Sequence, residues 1–261
     1  PSFINDKIPE GTALHFACMN QNLEIVKRLL SVPGIDPSIN SQQNRSPLII
    51  AINAFDMDIV DAILDFYGDN IRSKMWMIAD AFTNLANSII NDRIDKRLWK
   101  FVIRLSKIES IDPNFYFEQA TFLHRACTMG EYDVVKELLE NDRIDVNMCE
   151  INSYETPLLS SISVRELKIA KLLIKHPRTD LNVRNISGES ALHIAINNNL
   201  EDIIELLIND ERFDPDESGL DYSFYLADFN ISKILISSSF IDINRVFESD
   251  KTVLIHSVEL N

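Results

Sequence analysis

The sequence predicts an all-α solenoid, in which short antiparallel helix pairs stack side by side and extended turn fingers join one pair to the next. Three observations lead there. A six-residue segment with a hydroxyl-bearing start, apolar residues and a small residue at its end recurs along the chain. A second amphipathic run follows most copies, and a tetrapeptide centred on Asp follows that run.

The first element is seen as TALHFA (12 to 17), SPLIIA (46 to 51), TFLHRA (121 to 126), TPLLSS (156 to 161), SALHIA (190 to 195) and YSFYLA (222 to 227), with KMWMIA (74 to 79) and TVLIHS (252 to 257) as weaker members. Their last residues are Ala17, Ala51, Ala79, Ala126, Ser161, Ala195, Ala227 and Ser257, at steps of 34, 28, 47, 35, 34, 32 and 30 residues. A period near 33 marks a repeat array. Thr12, Thr121, Thr156 and Ser190 stand where a hydroxyl caps a helix by accepting from an orphan backbone N–H, typically worth about 1 kcal/mol. The small residue that ends each segment lets neighbouring helices approach closely.

The second element reads NLEIVKRLL, DMDIVDAIL, DKRLWKFVI, EYDVVKELL, ELKIAKLLI, NLEDIIELL and FNISKILI. Apolar residues recur three and four apart, as in Ile25, Val26, Leu29 and Leu30, so they share one helical stripe. The third element is IDPS (35 to 38), IDPN (111 to 114), IDVN (144 to 147), TDLN (179 to 182), FDPD (213 to 216) and IDIN (241 to 244). Pro cannot continue a helix, and Asp or Asn bonds neighbouring backbone, so each tetrapeptide leads into an extended turn.

This unit resembles the ankyrin repeat: TPLHxAA, a short turn, a second helix of LEIVxLLL type, then xADVN. The resemblance covers almost the whole chain and is most faithful over residues 120 to 217. Pro of the first motif survives only as Pro47 and Pro157 and its His only as His15, His124 and His193, which describes a divergent array. About eight repeats are expected in one domain spanning 1–261, at approximately 1–40, 41–71, 72–114, 115–150, 151–183, 184–217, 218–245 and a partial 246–261.

Two places break the period. Between Ala51 and Ala126 lie 75 residues where two periods would need about 66, so repeat 72–114 is enlarged. It reads as a long first helix through about residue 90, a polar turn at NDRID and a second helix carrying Trp99 and Phe101, with Trp76 and Trp99 filling the larger core. At the end, residues 252 to 257 begin a helix that has no second helix after it. A terminal cap and a natural chain that continues past Asn261 both fit; a start at Pro1 without Met points to the latter.

Composition narrows the function. Forty acidic and 25 basic residues give a formal charge of -15, which repels phosphate backbones and anionic headgroups, so neither nucleic acid nor membrane is an expected partner. No run of 18 apolar residues occurs and the first residues lack a signal-peptide core. Cys18, Cys127 and Cys149 are odd in number and lack a CxxC, which argues against disulfides and zinc and for an intracellular, cytoplasmic setting. Cys18 and Cys127 are expected as small buried hydrophobes, Cys149 as a turn residue with some exposure. The closest two of the six glycines are 23 residues apart, so a phosphate-cradling loop or nucleophile elbow has no material. No His spacing suits a metal. The expectation is a non-enzyme without cofactors.

What the resemblance implies is protein binding through the concave side, where turn fingers and first helices meet. Its residues here are Met19, Asn20, Arg45, Phe115, Tyr116, Phe117, Met129, Glu150, Tyr154, Glu155, Arg184, Glu189, Asp216 and Glu217. Aromatic anchors are enriched in binding hot spots, which singles out Phe115 to Phe117. From Glu150 to Lys251 the fingers carry Glu150, Glu155, Glu189, Asp216, Glu217, Asp221, Glu248 and Asp250 against Arg184, Arg245 and Lys251, so a basic segment of a protein partner is the complement. The chain is expected to be monomeric unless its open last repeat pairs. The rival expectation is a recognition arm of a larger multidomain enzyme or secreted effector. As a lesser possibility, Asn147, Asn182 or Asn244 is a hydroxylation substrate, since family members are modified at this finger position.

Overall fold

Five of the recurring hexapeptides, those at 12 to 17, 46 to 51, 121 to 126, 156 to 161 and 190 to 195, become helices of two turns, too short to persist alone in water, so their stability comes from packing. In the computed structural model, residues 3–54, 56–68, 96–109, 112–114, 116, 119–214 and 229–237 are described. Among the described residues are twelve α-helices and no β-strand. First helices are α1 (Ala13–Met19), α3 (Pro47–Asn53), α6 (Phe122–Thr128), α8 (Pro157–Ser163) and α10 (Ala191–Asn197). Second helices are α2 (Leu23–Leu30), α4 (Met57–Tyr67), α5 (Lys96–Lys107), α7 (Tyr132–Leu139), α9 (Leu167–Lys175), α11 (Glu201–Ile208) and α12 (Phe229–Ser237).

The expected caps are in place. Thr121, Thr156, Ser190 and also Ser46 accept from the N–H three residues on, at 3.5, 3.3, 3.4 and 3.2 Å. The Thr12 hydroxyl lies 2.9 Å from Nδ1 of His15. Pro47 and Pro157 occupy the first helical turn, where the missing N–H costs nothing.

The chain divides into two compact units, Pro1–Pro113 and Asn114–Asn261. In the first, α1 packs on α2 and α3, and α4 on α2 and α3. Leu14, Val26, Leu48, Ile59, Val60 and Ile63 are completely buried there, each contributing about 1.5–3 kcal/mol of transfer free energy. The second helix expected near Trp99 is α5: Trp99, Phe101, Val102 and Leu105 are buried, and Arg104 pairs with Asp61 of α4. Trp76 and the stretch through about residue 90 expected as a long first helix lie outside the described residues. In the second unit, the first helices contact in sequence, α6 on α8 and α8 on α10, and the second helices likewise, from α7 through α9 and α11 to α12. Buried Val135, Leu138, Leu159, Ile162, Ala170, Leu173, Leu192, Ile203, Ile204 and Leu207 form its core.

Polar side chains tie each turn to the next. Asn147 donates through Nδ2 to the Arg178 carbonyl (2.8 Å) and accepts at Oδ1 from the Asp180 N–H (2.8 Å). Asn182 does the same to Arg212 and Asp214 (both 2.9 Å), Asn114 to Arg143 (2.8 Å) and Asp145 (2.7 Å), and Asn5 to Gly34 (2.8 Å) and Asp36 (2.9 Å). In three of the tetrapeptides the Asp, at Asp36, Asp145 and Asp180, accepts from the N–H two residues on at 2.9 Å. A carboxamide has the donor and acceptor that this bridge needs. Asn147→Ala is therefore expected to lower unfolding free energy by about 1.5 kcal/mol, measured by urea denaturation.

Candidate protein-binding surface

The surface predicted for binding consists of first-helix C-termini and finger tips. Three of the described fingers are small hairpins. Their ends pair through Ser41 N–H to Arg45 O (2.9 Å), Glu150 N–H to Glu155 O (2.8 Å) and Asn185 N–H to Glu189 O (2.9 Å). The second hairpin residue then reaches the preceding finger: Gln42 N–H to Pro9 O (3.1 Å), Ile151 N–H to Gln119 O (2.9 Å) and Ile186 N–H to Ser153 O (2.9 Å). The three fingers around Gln119, Glu150 and Asn185 in the second unit are thus laced edge to edge by backbone.

In the first unit, Met19, Asn20 and Arg45 are all exposed, and Phe16 is exposed alongside Met19 on α1. The Arg45 carbonyl accepts from Nε2 of His15 at 2.9 Å. In the second unit, Met129, Tyr154 and Arg184 are exposed. Tyr116 is also exposed, and its hydroxyl donates to the Cys149 carbonyl at 2.8 Å, so this ring spans to the next finger. Glu150, Glu155 and Glu189 are half-buried. Glu150 accepts from the Ser153 hydroxyl (2.6 Å), Glu155 from Ser160 (2.9 Å) and Ser163 (3.4 Å), and Glu189 from the amides of Asn185 (3.1 Å) and Asn197 (3.5 Å). These acids have structural duties besides any partner. Phe115, Phe117, Asp216 and Glu217 lie outside the described residues.

Residue-by-residue expectation missed the exposed aliphatic side chains of these fingers, Ile151 (50%) and Ile186 (70%); Val164, which follows Ser163 where the first-helix ends map onto the binding side, is exposed as well. An aliphatic residue in an otherwise polar finger was the available signal.

Electrostatics favours scaffold roles for the remaining titratable groups. The Thr121 N–H points at Nδ1 of His124 (3.4 Å), and the Glu155 carbonyl receives Nε2 (2.9 Å). A carbonyl only accepts, so Nε2 carries the proton and Nδ1 is bare. His15 and His193 meet their own caps the same way, with backbone N–H to Nδ1 at 3.0 and 3.2 Å. Burial pushes all three imidazoles below the usual histidine range. It also raises the thiols, Cys18 up to about 12, with Cys127 and Cys149 in the same direction. Cys149 is half-buried, with its Sγ 3.6 Å from the Asn147 carbonyl, so thiolate chemistry is suppressed there. The carboxamides of Asn147 and Asn182 are both engaged in inter-turn bonds; Asn244 lies outside the described residues. Among the described residues, no group of three His, Cys, Asp or Glu side chains could hold a metal ion, and no helix is long and apolar enough to cross a membrane.

Comparison with known proteins agrees with this geometry. The family model described as ankyrin repeats (3 copies) matches residues 2–75, 123–219 and 167–246, leaving out most of the enlarged stretch. Over 201 residues the chain is 24% identical to the B-cell lymphoma 3 protein homolog of Mus musculus, covering 76% of this chain and 43% of that protein. It is 25% identical to alpha-latrocrustotoxin-Lt1a of Latrodectus tredecimguttatus over 195 residues, 70% of this chain and 13% of the toxin. The chain therefore spans less than half the length of these curated relatives. Among solved structures, EF0377, an ankyrin repeat protein, superposes with a TM-score of 0.54 at 19% identity, covering 77% of this chain and 98% of that one. An ankyrin repeat domain from Acinetobacter baumannii AYE gives 0.52 at 16% identity, covering 74% and 94%. Repeated capped helix pairs, His-bridged fingers, an Asn ladder and a family match over most of its length lead to one conclusion: the chain belongs to the ankyrin-repeat family, whose repeats are generally protein–protein interaction modules.

Proposed function

We propose that this chain is a non-catalytic adaptor or scaffold module that holds a protein partner on the surface formed by its fingers and first-helix ends, with a basic segment of the partner against the acidic fingers. The observation that carries this is the co-location of exposed apolar side chains, Met129, Val164, Ile151, Tyr154 and Ile186, with Glu150, Glu155 and Glu189 on the first-helix and finger elements of one unit. Apolar anchors among charges describe a hot spot and its selective surround. A monomeric chain working inside the cell suits the reading.

The test is capture from native lysate by the intact chain and by a variant carrying Met129→Glu, Val164→Glu, Glu150→Lys and Glu189→Lys, after circular dichroism shows both to be helical. The expected result is a protein held by the intact chain, lost from the variant and released progressively by salt. Equal retention by both would move the binding surface elsewhere.

A second reading has its own support. Because the chain spans only part of its curated relatives, the array serves equally as the recognition arm of a larger protein, with any catalysis carried outside it.

A further inference from the structure

The finger at 150–155 differs from its described counterparts in ways that folding does not require. From helix cap to turn Asp the spacing is constant: Thr12 to Asp36, Thr121 to Asp145, Thr156 to Asp180 and Ser190 to Asp214 are each 24 residues. From that Asp to the next cap it is 10 residues at Ser46 and Ser190 but 11 at Thr156. The extra residue is taken up at the tip. Asn44 and Gly188 close three-residue turns onto the carbonyls of Ser41 (3.1 Å) and Asn185 (2.9 Å), whereas the Tyr154 N–H reaches four residues back to Glu150 (3.1 Å).

All three tip residues have left-handed backbone, with φ of 56° at Asn44, 57° at Tyr154 and 78° at Gly188. Asn and Gly accept this conformation readily, and a bulky side chain does not. Tyr154 nonetheless occupies it and remains 56% exposed, so little burial offsets the strain. Strain of this kind concentrates where a side chain must be presented to a ligand. Ile151 precedes Tyr154 on the same tip, and Ile186 is brought beside it by its bond to the Ser153 carbonyl. Residues 144–164 contain Asp145, Glu150 and Glu155 and neither Lys nor Arg. Glu150 and Glu155 flank the ring in sequence, each oriented by a serine hydroxyl of its own unit.

We propose that Tyr154 anchors an arginine of an extended partner segment, its guanidinium lying on the phenol ring and donating to the Glu150 and Glu155 carboxylates, with apolar neighbours of that arginine on Ile151 and Ile186. An exposed aromatic side chain on a finger tip that carries two carboxylates and no basic residue fits a planar, weakly hydrated, multiply donating cation better than a compact ammonium. The inference rests on the finger surface being the binding face.

The experiment selects random-sequence displayed peptides on the full chain. Enriched peptides are expected to carry an arginine whose replacement by Lys or Ala weakens binding at least about tenfold. Tyr154→Asn is expected to weaken the same peptides about tenfold without lowering the melting temperature of the chain, because Asn suits the left-handed tip, and Tyr154→Phe to retain them. Enriched peptides without arginine, equal binding by Tyr154→Asn, or no enrichment at all would overturn the proposal. Amide hydrogen exchange on the complexes separates the two levels. Protection over the fingers with arginine-independent binding overturns the arginine anchor and leaves the binding face standing. Protection confined to the second helices overturns both.

Discussion

Replacing Arg212 by Ala is expected to lower unfolding free energy by about 3 kcal/mol. Its guanidinium donates to the carbonyls of His176 (2.7 Å), Thr179 (3.1 Å) and Ile174, which close the end of α9 and the turn after it. Asp210 pairs with it at 2.7 Å and holds it flat, and that guanidinium keeps the Asp210 carboxyl below the usual carboxylate range. The last carbonyls of a helix have no intrahelical donor, so truncation strands several acceptors at once. Arg212→Lys should recover less than half of the loss, since an ammonium lacks the fork that reaches several carbonyls. Lys171→Ala is the contrasting case. It breaks the Lys171–Asp202 ion pair, 2.6 Å long but well exposed, and should cost under about 1 kcal/mol. Urea denaturation followed by helical circular dichroism decides it; an Arg212→Ala loss no larger than that of Lys171→Ala would reduce the staple to decoration.

Arg178 serves one repeat earlier as Arg212 does, donating to the carbonyls of Asp142 (2.8 Å), Ile144 (2.7 Å) and Asn141 (3.2 Å). Neither arginine was legible as a staple in the sequence. Their position, two residues before the turn Asp, repeats in NDRID, HPRTD and DERFD, but a charged residue in a turn looks the same whether it faces water or a row of carbonyls. The helices were legible because their stripes repeat seven times and a stripe can be satisfied only by burial. The caps were legible because Thr or Ser before a short apolar run has one favourable use. Trp99 and Phe101 were assigned to a second helix inside an irregular repeat for the same reason, and both are buried in α5.

The surface was legible only in outline. Period and motif locate the first-helix ends and fingers, so Met19, Met129 and Tyr154 were picked out, and all three are exposed. Polarity alone misjudged the acids: Glu155 and Glu189 look like free charges in sequence, yet each sits just before a helix cap and accepts from that helix or its finger. The one-residue extension of the 150–155 finger was contained in the spacing, as a step of 35 residues beside steps of 34. Its consequence, a tyrosine in left-handed backbone, depends on which residue falls at the turn closure, and that is decided by hydrogen bonding rather than by count.

His124→Ala is expected to lower unfolding free energy by about 3 kcal/mol at pH 7.5 and by clearly less at pH 5. The side chain is 2% exposed, bonded to its own cap and, across the repeat boundary, to the Glu155 carbonyl. Losing it opens a cavity and orphans buried polar groups. Native geometry requires the neutral ring, because a proton on Nδ1 would face the Thr121 N–H. Burial is the main cause of its lowered pKa; among its neighbours, the Arg125 charge acts in the same direction, while the Glu155 carbonyl and the Glu150 carboxylate act against it. The folded chain therefore binds the proton less readily than the unfolded chain, whose histidines titrate near 6.5. The contribution of His124 is complete above that pH and declines as pH falls from 6.5 through the lower folded value. Burial shifts His15 and His193 in the same direction, helped by the Lys7 charge at the first and by Arg184, against Glu189, at the second, so three rungs of the array weaken together in acid. Urea midpoints at pH 7.5, 6.5, 5.5 and 5 for the native chain and His124→Ala provide the check. A gap between the two that stays constant with pH would mean that His124 acts through packing alone.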